Sequence, residues 1–353
     1  MKEKILSFIA RYEDDEETLN ELMLEVFRAQ FQENDAYRAY CQEKRKTLRT
    51  VRHWTDIPFV PVDAFKHLTL SRVPIEETAA CFMTSGSTSG LRGKHYQADL
   101  DIYDASMDAT IRQFVLKDIE TIHVANLFPT RKMMPNSSLA HYLNYIVETF
   151  GHHDSRYFID DEGIDFLAFE QFLNERIERQ EPVLLLGATY NYVHLFEHFK
   201  EKTWSLPEGS IIFDTGGYKN QSTELPVAEF YERLSTMFHV PKSSCVNMYG
   251  MSELSSQYYD KGNEVTPSVK YGPPWMKTRI IDPLTEEEVP KGEKGIIVHY
   301  DLCNVNSVVA VMTEDVGYET DDGFVLLGRA EGAEAKGCSL QLEDFLAITG
   351  DHQ

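Results

Sequence analysis

The chain has 353 residues, 42% hydrophobic and 12% aromatic, enough for packed cores in two or three domain-sized units. Its formal net charge of -23 argues against nucleic acid and anionic membrane surfaces, since both need clustered lysine and arginine. No apolar run approaches the ~18 residues of a membrane span, and five scattered cysteines without a C-x-x-C pair predict a reducing, cytoplasmic setting with neither disulfides nor a zinc site.

Residues 3 to 45 read as helices. Asp14 or Asp15 predicts a cap for a helix running to Phe31, with Leu19, Leu22, Met23, Val26 and Phe27 on one stripe; Asn34 predicts a cap for a second, short helix. The acidic run 14–17 does not fit a secretory leader. Residues 56–66, broken by two prolines, read as an extended connector. A strand from Ala79 to Met83 enters a loop rich in glycine and hydroxyls, and a helix follows from Asp99 to about Lys117. Strands are expected at 121–127, 156–159, 182–187, 210–213 and 245–248, alternating with helices at 136–150, 166–179, 191–199 and 227–238. That alternation predicts an α/β fold with a parallel sheet. After Gly272 the pattern becomes strands at 277–281, 295–300, 307–311 and 324–327, with a last helix at 340–348. The expected organisation is a helical and connector segment over 1–78, an α/β nucleotide- and acyl-binding core over 79–272, a β-rich subdomain over 273–328, and a short tail over 329–353.

Ligands of parallel sheets sit at the carboxyl ends of the strands. Four polar groups follow predicted strands: 84–94, 214–219, 249–253 and 313–317. The first places three glycines and five hydroxyl residues in eleven positions and ends on Lys94. Glycine permits positive φ and close backbone approach, successive amides form an anion-binding concavity, and lysine adds a point charge. This is the chemistry of a polyphosphate cradle made by Thr84, Ser85, Gly86, Ser87, Thr88, Ser89 and Gly90; a flexible linker is the alternative. The spacing fits neither a Walker A loop nor a nucleophile elbow. Tyr249, Gly250, Ser252 and Glu253 can stack on a base and hold Mg2+, or Ser252 can cap a helix. Asp315 reads as a ligand or a turn aspartate, and Arg329 as a phosphate contact or a surface arginine. Adjacent histidines of a strand face opposite sides, so His152-His153-Asp154 reads as a solvated loop rather than a metal site. Cys338 is either a nucleophile or a small buried hydrophobe, while Cys81 and Cys245 read as core.

The loop Thr-Ser-Gly-Ser-Thr-Ser-Gly followed by Lys94 resembles the pyrophosphate-binding loop of adenylate-forming enzymes, the superfamily of acyl-CoA synthetases, peptide-synthetase adenylation domains and luciferases. Tyr249-Gly250-Met251-Ser252-Glu253 matches that superfamily's Tyr-Gly-x-Thr/Ser-Glu motif, which implies Tyr249 against adenine and Ser252 and Glu253 serving phosphates and Mg2+. Gly216-Gly217 resembles the glycine pair beside the adenine. Thr313-Glu314-Asp315 resembles a Thr-Gly-Asp motif whose aspartate takes the ribose hydroxyls, with Glu314 departing from glycine. Gly328-Arg329 with Lys336-Gly337 resembles the hinge motif, implying Arg329 on ribose or phosphate. The 56–66 connector and Lys336-Gly337-Cys338-Ser339-Leu340 are similar to the acyl-protein synthetase (LuxE-type) branch, related to phenylacetate-CoA ligase.

That resemblance implies the large N-terminal domain of the adenylate-forming fold, with mixed and parallel sheets, a small β-rich subdomain, and the mobile lysine-bearing C-terminal domain essentially absent. It implies ATP- and Mg2+-dependent activation of a fatty or aryl carboxylic acid as acyl-AMP, transfer to Cys338 as a thioester, and delivery to an acyl-CoA reductase-like or carrier-protein partner. Lys336 and Arg329 are expected to lower the pKa of Cys338, and Arg329, Lys336 or a partner subunit to stand in for the absent lysine. Met133 to His141 is expected to line the acyl pocket. The alternatives are a CoA ligase of phenylacetate-CoA ligase type and a catalytically silent nucleotide-binding subunit.

Overall fold

A computed structural model of the chain describes residues 1–85, 90–218 and 222–350. The chain forms two compact units: residues 1–109, 251–257 and 269–353 in the first, and 110–250 with 258–268 in the second.

The first unit is built on an antiparallel sheet ordered Val269–Lys270, Phe324–Arg329, Ala310–Glu319, Gly295–Asp301, Met276–Ile281. Every residue of Gly295–Asp301 is buried. The proline-rich stretch is not a connector. Val60–Pro61 joins the sheet as a parallel neighbour of Ala310–Glu319, with Val60 opposite Val311 and Pro61 opposite Met312, and the short helix Ala64–His67 follows. Helix Glu16–Glu33 starts as expected at Asp15, whose carboxylate accepts from the Thr18 amide at 3.0 Å. Asn34 caps Asp35–Glu43 in the same way, accepting from the Tyr37 amide at 3.0 Å. The final helix, Gly332–Thr349, starts well before the predicted 340. Its glycines have low helix propensity, but packing overrides that: Tyr40 and Phe345 meet at 4.6 Å, and a Cβ on Gly337 would stand 2.6 Å from the Pro283 ring. Cys338 therefore lies within a helix. The strand Ala80–Met83 pairs antiparallel with Lys94–Gln97, Met83 opposite Lys94, so the two ends of the glycine-rich stretch stand side by side.

The second unit carries the parallel sheet, ordered Cys245–Tyr249, Ile211–Thr215, Val183–Ala188, His123–Asn126, Arg156–Tyr157, with Tyr258–Tyr259 antiparallel at one edge. Val183–Ala188 is buried throughout, as a central strand covered on both faces must be. Helices Phe166–Arg179 and Val227–Phe238 run as predicted, and Phe169, Leu173, Tyr192, Leu195, Phe230 and Leu234 pack with Leu185 and Ile212 into one core. Tyr192 is fully buried and donates its hydroxyl hydrogen to the backbone, against Leu185 O at 3.0 Å and Phe213 O at 2.8 Å. No described helix is long and apolar enough to cross a membrane.

Candidate active site

No helix follows Tyr249, so Ser252 caps nothing; residues 251–257 run as turns and loop. Buried polar groups hold this stretch. His95 Nδ1 donates to the Ser252 carbonyl at 2.9 Å, and Asn304 Nδ2 donates to the Glu253 carbonyl at 3.0 Å. The Ser255 and Ser256 amides both donate to Asp301 at 2.8 Å. Gln30, from the long N-terminal helix, donates to the Asn304 carbonyl at 2.7 Å. Burial holds His95 down at about 4, so its ring is neutral, and Nε2 accepts from the Ser307 hydroxyl at 2.9 Å. Burial pushes Asp301 up to about 6, against the pull of its four donated hydrogen bonds from Ser255, Ser256 and Cys303.

This scaffold presents Glu253. Its residue is 4% exposed, and no described cation pairs with its carboxylate. Burial pushes the group up to about 7; Arg329 and Lys66 pull it down and Asp63 pushes it further up. Oε1 stands 2.9 Å from where a Cβ on Gly93 would be. The neck of the loop is closed by Thr84: its hydroxyl accepts from the Gly93 amide at 2.9 Å, and its own amide donates to the Gly93 carbonyl at 3.0 Å. Ser85 and Gly90 are exposed, and Gly90 has φ 74°, a conformation that favours glycine. Gly86, Ser87, Thr88 and Ser89 lie outside the described residues, as does Lys219. Lys94 is exposed. His95 and Gln97 point toward the Ser252–Ser256 turn, so strand alternation turns Lys94 and Tyr96 to the other face. There the Lys94 charge acts on Cys81.

Thr313, Glu314 and Asp315 lie inside the strand Ala310–Glu319 rather than after one. Asp315 faces Arg329 across the sheet, just before a bulge at Val316/Gly317. Arg329 Nε is 3.4 Å from Asp315 Oδ1, and Nη1 is 3.4 Å from Glu314 Oε2. Cys338 is 6% exposed, with its thiol directed at the Thr313 carbonyl 3.9 Å away. The expected electrostatics are reversed. Burial first, then Glu314, push the thiol up to about 11, with Glu334 and Asp315 adding to the rise. Arg329 spends its charge on Glu314 and Asp315, and Lys336 is exposed on the final helix.

In the second unit, Gly216 has φ 71° directly after Ile211–Thr215, and its carbonyl accepts from Thr189 Oγ1 at 3.2 Å. No described atom stands within 4 Å of a Cβ built on Gly217. Tyr249 ends the strand Cys245–Tyr249, with Gly250 next; Thr215 Oγ1 donates to the Met248 carbonyl at 2.9 Å, tying the two strand ends together. These residues occupy the carboxyl ends of neighbouring parallel strands, where ligands of such sheets bind. A cleft of about 750 Å³ is lined by Pro129, Met134, Ile159, Phe166, Tyr190 and His194. Residues 152–154 form a loop as expected, with His153 exposed and the His152 side chain 41% exposed, but Asp154 is engaged. Asp154 accepts from His123 at 2.7 Å, from His152 at 3.2 Å and from the buried Arg176, which also pairs with Glu181 at 2.9 Å. Arg176 Nη1 lies 3.0 Å from His123 Nδ1 as well as against Asp154, so a guanidinium already occupies two of the three groups a metal would need.

The donor set of the first unit suits a divalent cation with phosphate: a buried carboxylate lacking a described cation partner, facing a loop end with no side chain. A family model described as acyl-protein synthetase, LuxE, matches residues 5–347. The long-chain-fatty-acid–luciferin-component ligase of Aliivibrio fischeri is 24% identical over 95% of this chain and 90% of its own length. The ligase of the same description from Vibrio harveyi is 23% identical over 96% of this chain and 91% of its own. Among solved structures, an open conformation of 2-hydroxyisobutyryl-CoA ligase with 2-HIB-AMP and CoA superposes with TM-score 0.63 at 15% identity, covering 89% of this chain and 74% of that one. ATP-bound MatB from Rhodopseudomonas palustris gives TM-score 0.52 at 19% identity, covering 73% of this chain but only 49% of that one.

Proposed function

The chain belongs to the acyl-protein synthetase (LuxE) family, and from that premise we propose that it activates a long-chain fatty acid, or a related aryl acid, with ATP and passes the acyl group to a thiol. The acid carboxylate attacks the α-phosphorus of ATP, the bond to the bridging oxygen breaks, and pyrophosphate leaves. A thiolate then attacks the acyl carbon of the acyl-AMP, and AMP leaves with the electron pair of the carbon–oxygen bond.

The observation that carries this reading is the buried Glu253 carboxylate, without a described cation partner, against Gly93. In this reading Glu253 holds Mg2+, which supplies charge neutralisation for the departing phosphates. The loop from Thr84 to Gly90 binds those phosphates, and Ser252 stands at their edge. Asp315 accepts from the ribose hydroxyls, beside Arg329. Tyr249, Gly216, Gly217 and Gly250 receive the adenine, and the cleft at Met134 and Tyr190 suits an aliphatic chain, since methionine adapts to irregular apolar shapes. Cys338 is the acceptor, with Lys336 near it on the same helix, and a reductase or carrier protein of the cytoplasm takes the acyl group onward.

A second reading has one observation in its favour. Cys338 is covered and ringed by carboxylates, which suits an external thiol such as CoA as acceptor instead. Fatty-acid-dependent exchange of labelled pyrophosphate into ATP tests the shared first step. Exchange above the no-acid rate supports it; nucleotide binding with no exchange for any acid overturns it.

A further inference from the structure

An ammonium outside the glycine loop and the Tyr249–Glu253 motif also acts on Glu253: that of Lys66, at the end of the 56–66 stretch. Val60–Pro61 runs parallel to Ala310–Glu319, and the Val62 amide donates to the Met312 carbonyl at 2.8 Å. The chain therefore leaves that strand in the direction of Thr313–Asp315, carrying Asp63 and the helix Ala64–His67 with it. Phe65 packs at the loop end: its Cβ is 3.6 Å from the position of a Cβ on Gly93, and its ring is 5.7 Å from His95. The next residue is Lys66. Its side chain is 18% exposed, and Nζ lies 2.5 Å from Asp63 Oδ1. Both Glu253 and Glu314 feel the charges of Lys66 and Asp63.

The charges acting on Glu253 and Glu314 thus include the carboxylate of Asp63 and the cations Lys66 and Arg329. Arg329 is 67% exposed and already engaged by Glu314 and Asp315. Lys94 lies on the face of its strand away from His95. Lys66 is the sheltered cation on the Glu253 side. A lysine ammonium is a compact charge with three rotatable donors, so exchanging Asp63 for a phosphate oxygen keeps it paired throughout.

We propose that Lys66 is a phosphate-binding residue of the nucleotide site, contacting the phosphates that leave as pyrophosphate, with Asp63 holding its ammonium until the nucleotide arrives. This rests on the adenylate-forming reading above.

The test is equilibrium binding of MgATP and of AMP to the full chain, in native, Lys66→Met and Lys66→Arg forms, each checked by thermal melting. Lys66→Met is expected to weaken MgATP by roughly 10-fold or more and to leave AMP within about twofold, since only charge-assisted bonds to the outer phosphates are lost. Lys66→Arg is expected to keep most of the MgATP affinity, which also covers the case in which the methionine variant does not fold. Unchanged MgATP affinity in Lys66→Met overturns the proposal. So does an equal loss of ATP and AMP, which marks a lysine of structural importance alone. If the native chain binds neither nucleotide, the adenylate-forming reading itself fails, a result distinct from either.

Discussion

Glu253 Oε1 stands 2.9 Å from the point where a Cβ on Gly93 would lie, so the end of the glycine-rich stretch and the buried carboxylate share one small space. That distance is shorter than a methyl group tolerates. Gly93→Ala is expected to displace the carboxylate and cut pyrophosphate exchange by roughly 10-fold or more, because misplacing a group that serves the transition state costs rate steeply. Thr84 Cγ2 would stand 3.2 Å from the same point and must give slightly, so a modest fall in melting temperature is expected beside the loss of exchange. Full exchange activity in the alanine variant contradicts this geometry.

Glu253 also makes stability depend on pH. Its folded value of about 7 lies above the ordinary 4.5. Between those values the unfolded chain has lost a proton that the folded chain keeps, so stability falls as pH rises through the window, by up to about 3 kcal/mol, and then levels off. Asp301, raised to about 6, acts in the same direction and is untouched by a change at Glu253. Glu253→Gln is expected to gain on the native protein in thermal melts as pH goes from 5 to 8, while losing exchange activity. Parallel melting profiles across that range contradict the assignment.

Cys338 is expected to be unreactive in the free protein. A thiol at about 11 is ionised about 100-fold less at neutral pH than one at the ordinary 9.0, and its burial adds to the protection. Iodoacetamide labelling followed by peptide mapping should show Cys338 modified at least ~100-fold more slowly in the native chain than in urea. Equal rates would mean the final helix does not cover it.

Arg176 is 1% exposed and joins Asp154, Glu181 and His123. Arg176→Leu leaves those carboxylates facing one another without their cation. A loss of about 3 kcal/mol or more in urea unfolding is expected, the usual cost of removing one partner from a buried ion pair.

The sequence made some of this legible and hid the rest. Phe166–Arg179 and Val227–Phe238 announce themselves through apolar stripes at helical spacing, and the buried run Val183–Ala188 through length and composition. The glycine loop and the Tyr249–Glu253 motif carry their chemistry in adjacent residues. His95, Asp301, Asn304 and Gln30, which hold Glu253 in place, show no local pattern: Gln30 and Asn304 are 274 residues apart. Two prolines mask the strand Val60–Pro61, and with it the approach of Lys66 to the site. Cys338 was visible as a candidate, but its acidic surroundings come from a neighbouring strand and from burial, neither of which spacing reveals.

The central claim is that an acyl group passes from acyl-AMP to this chain. The most direct measurement incubates the protein with MgATP and radiolabelled long-chain fatty acid, then counts hydroxylamine-labile label on native chain and on Cys338→Ser. The account predicts ATP-dependent label on the native chain and none on the variant, with pyrophosphate exchange preserved in both. Label of equal extent on Cys338→Ser, or no labile label on a native chain that releases AMP only when CoA is added, would contradict Cys338 as the acceptor.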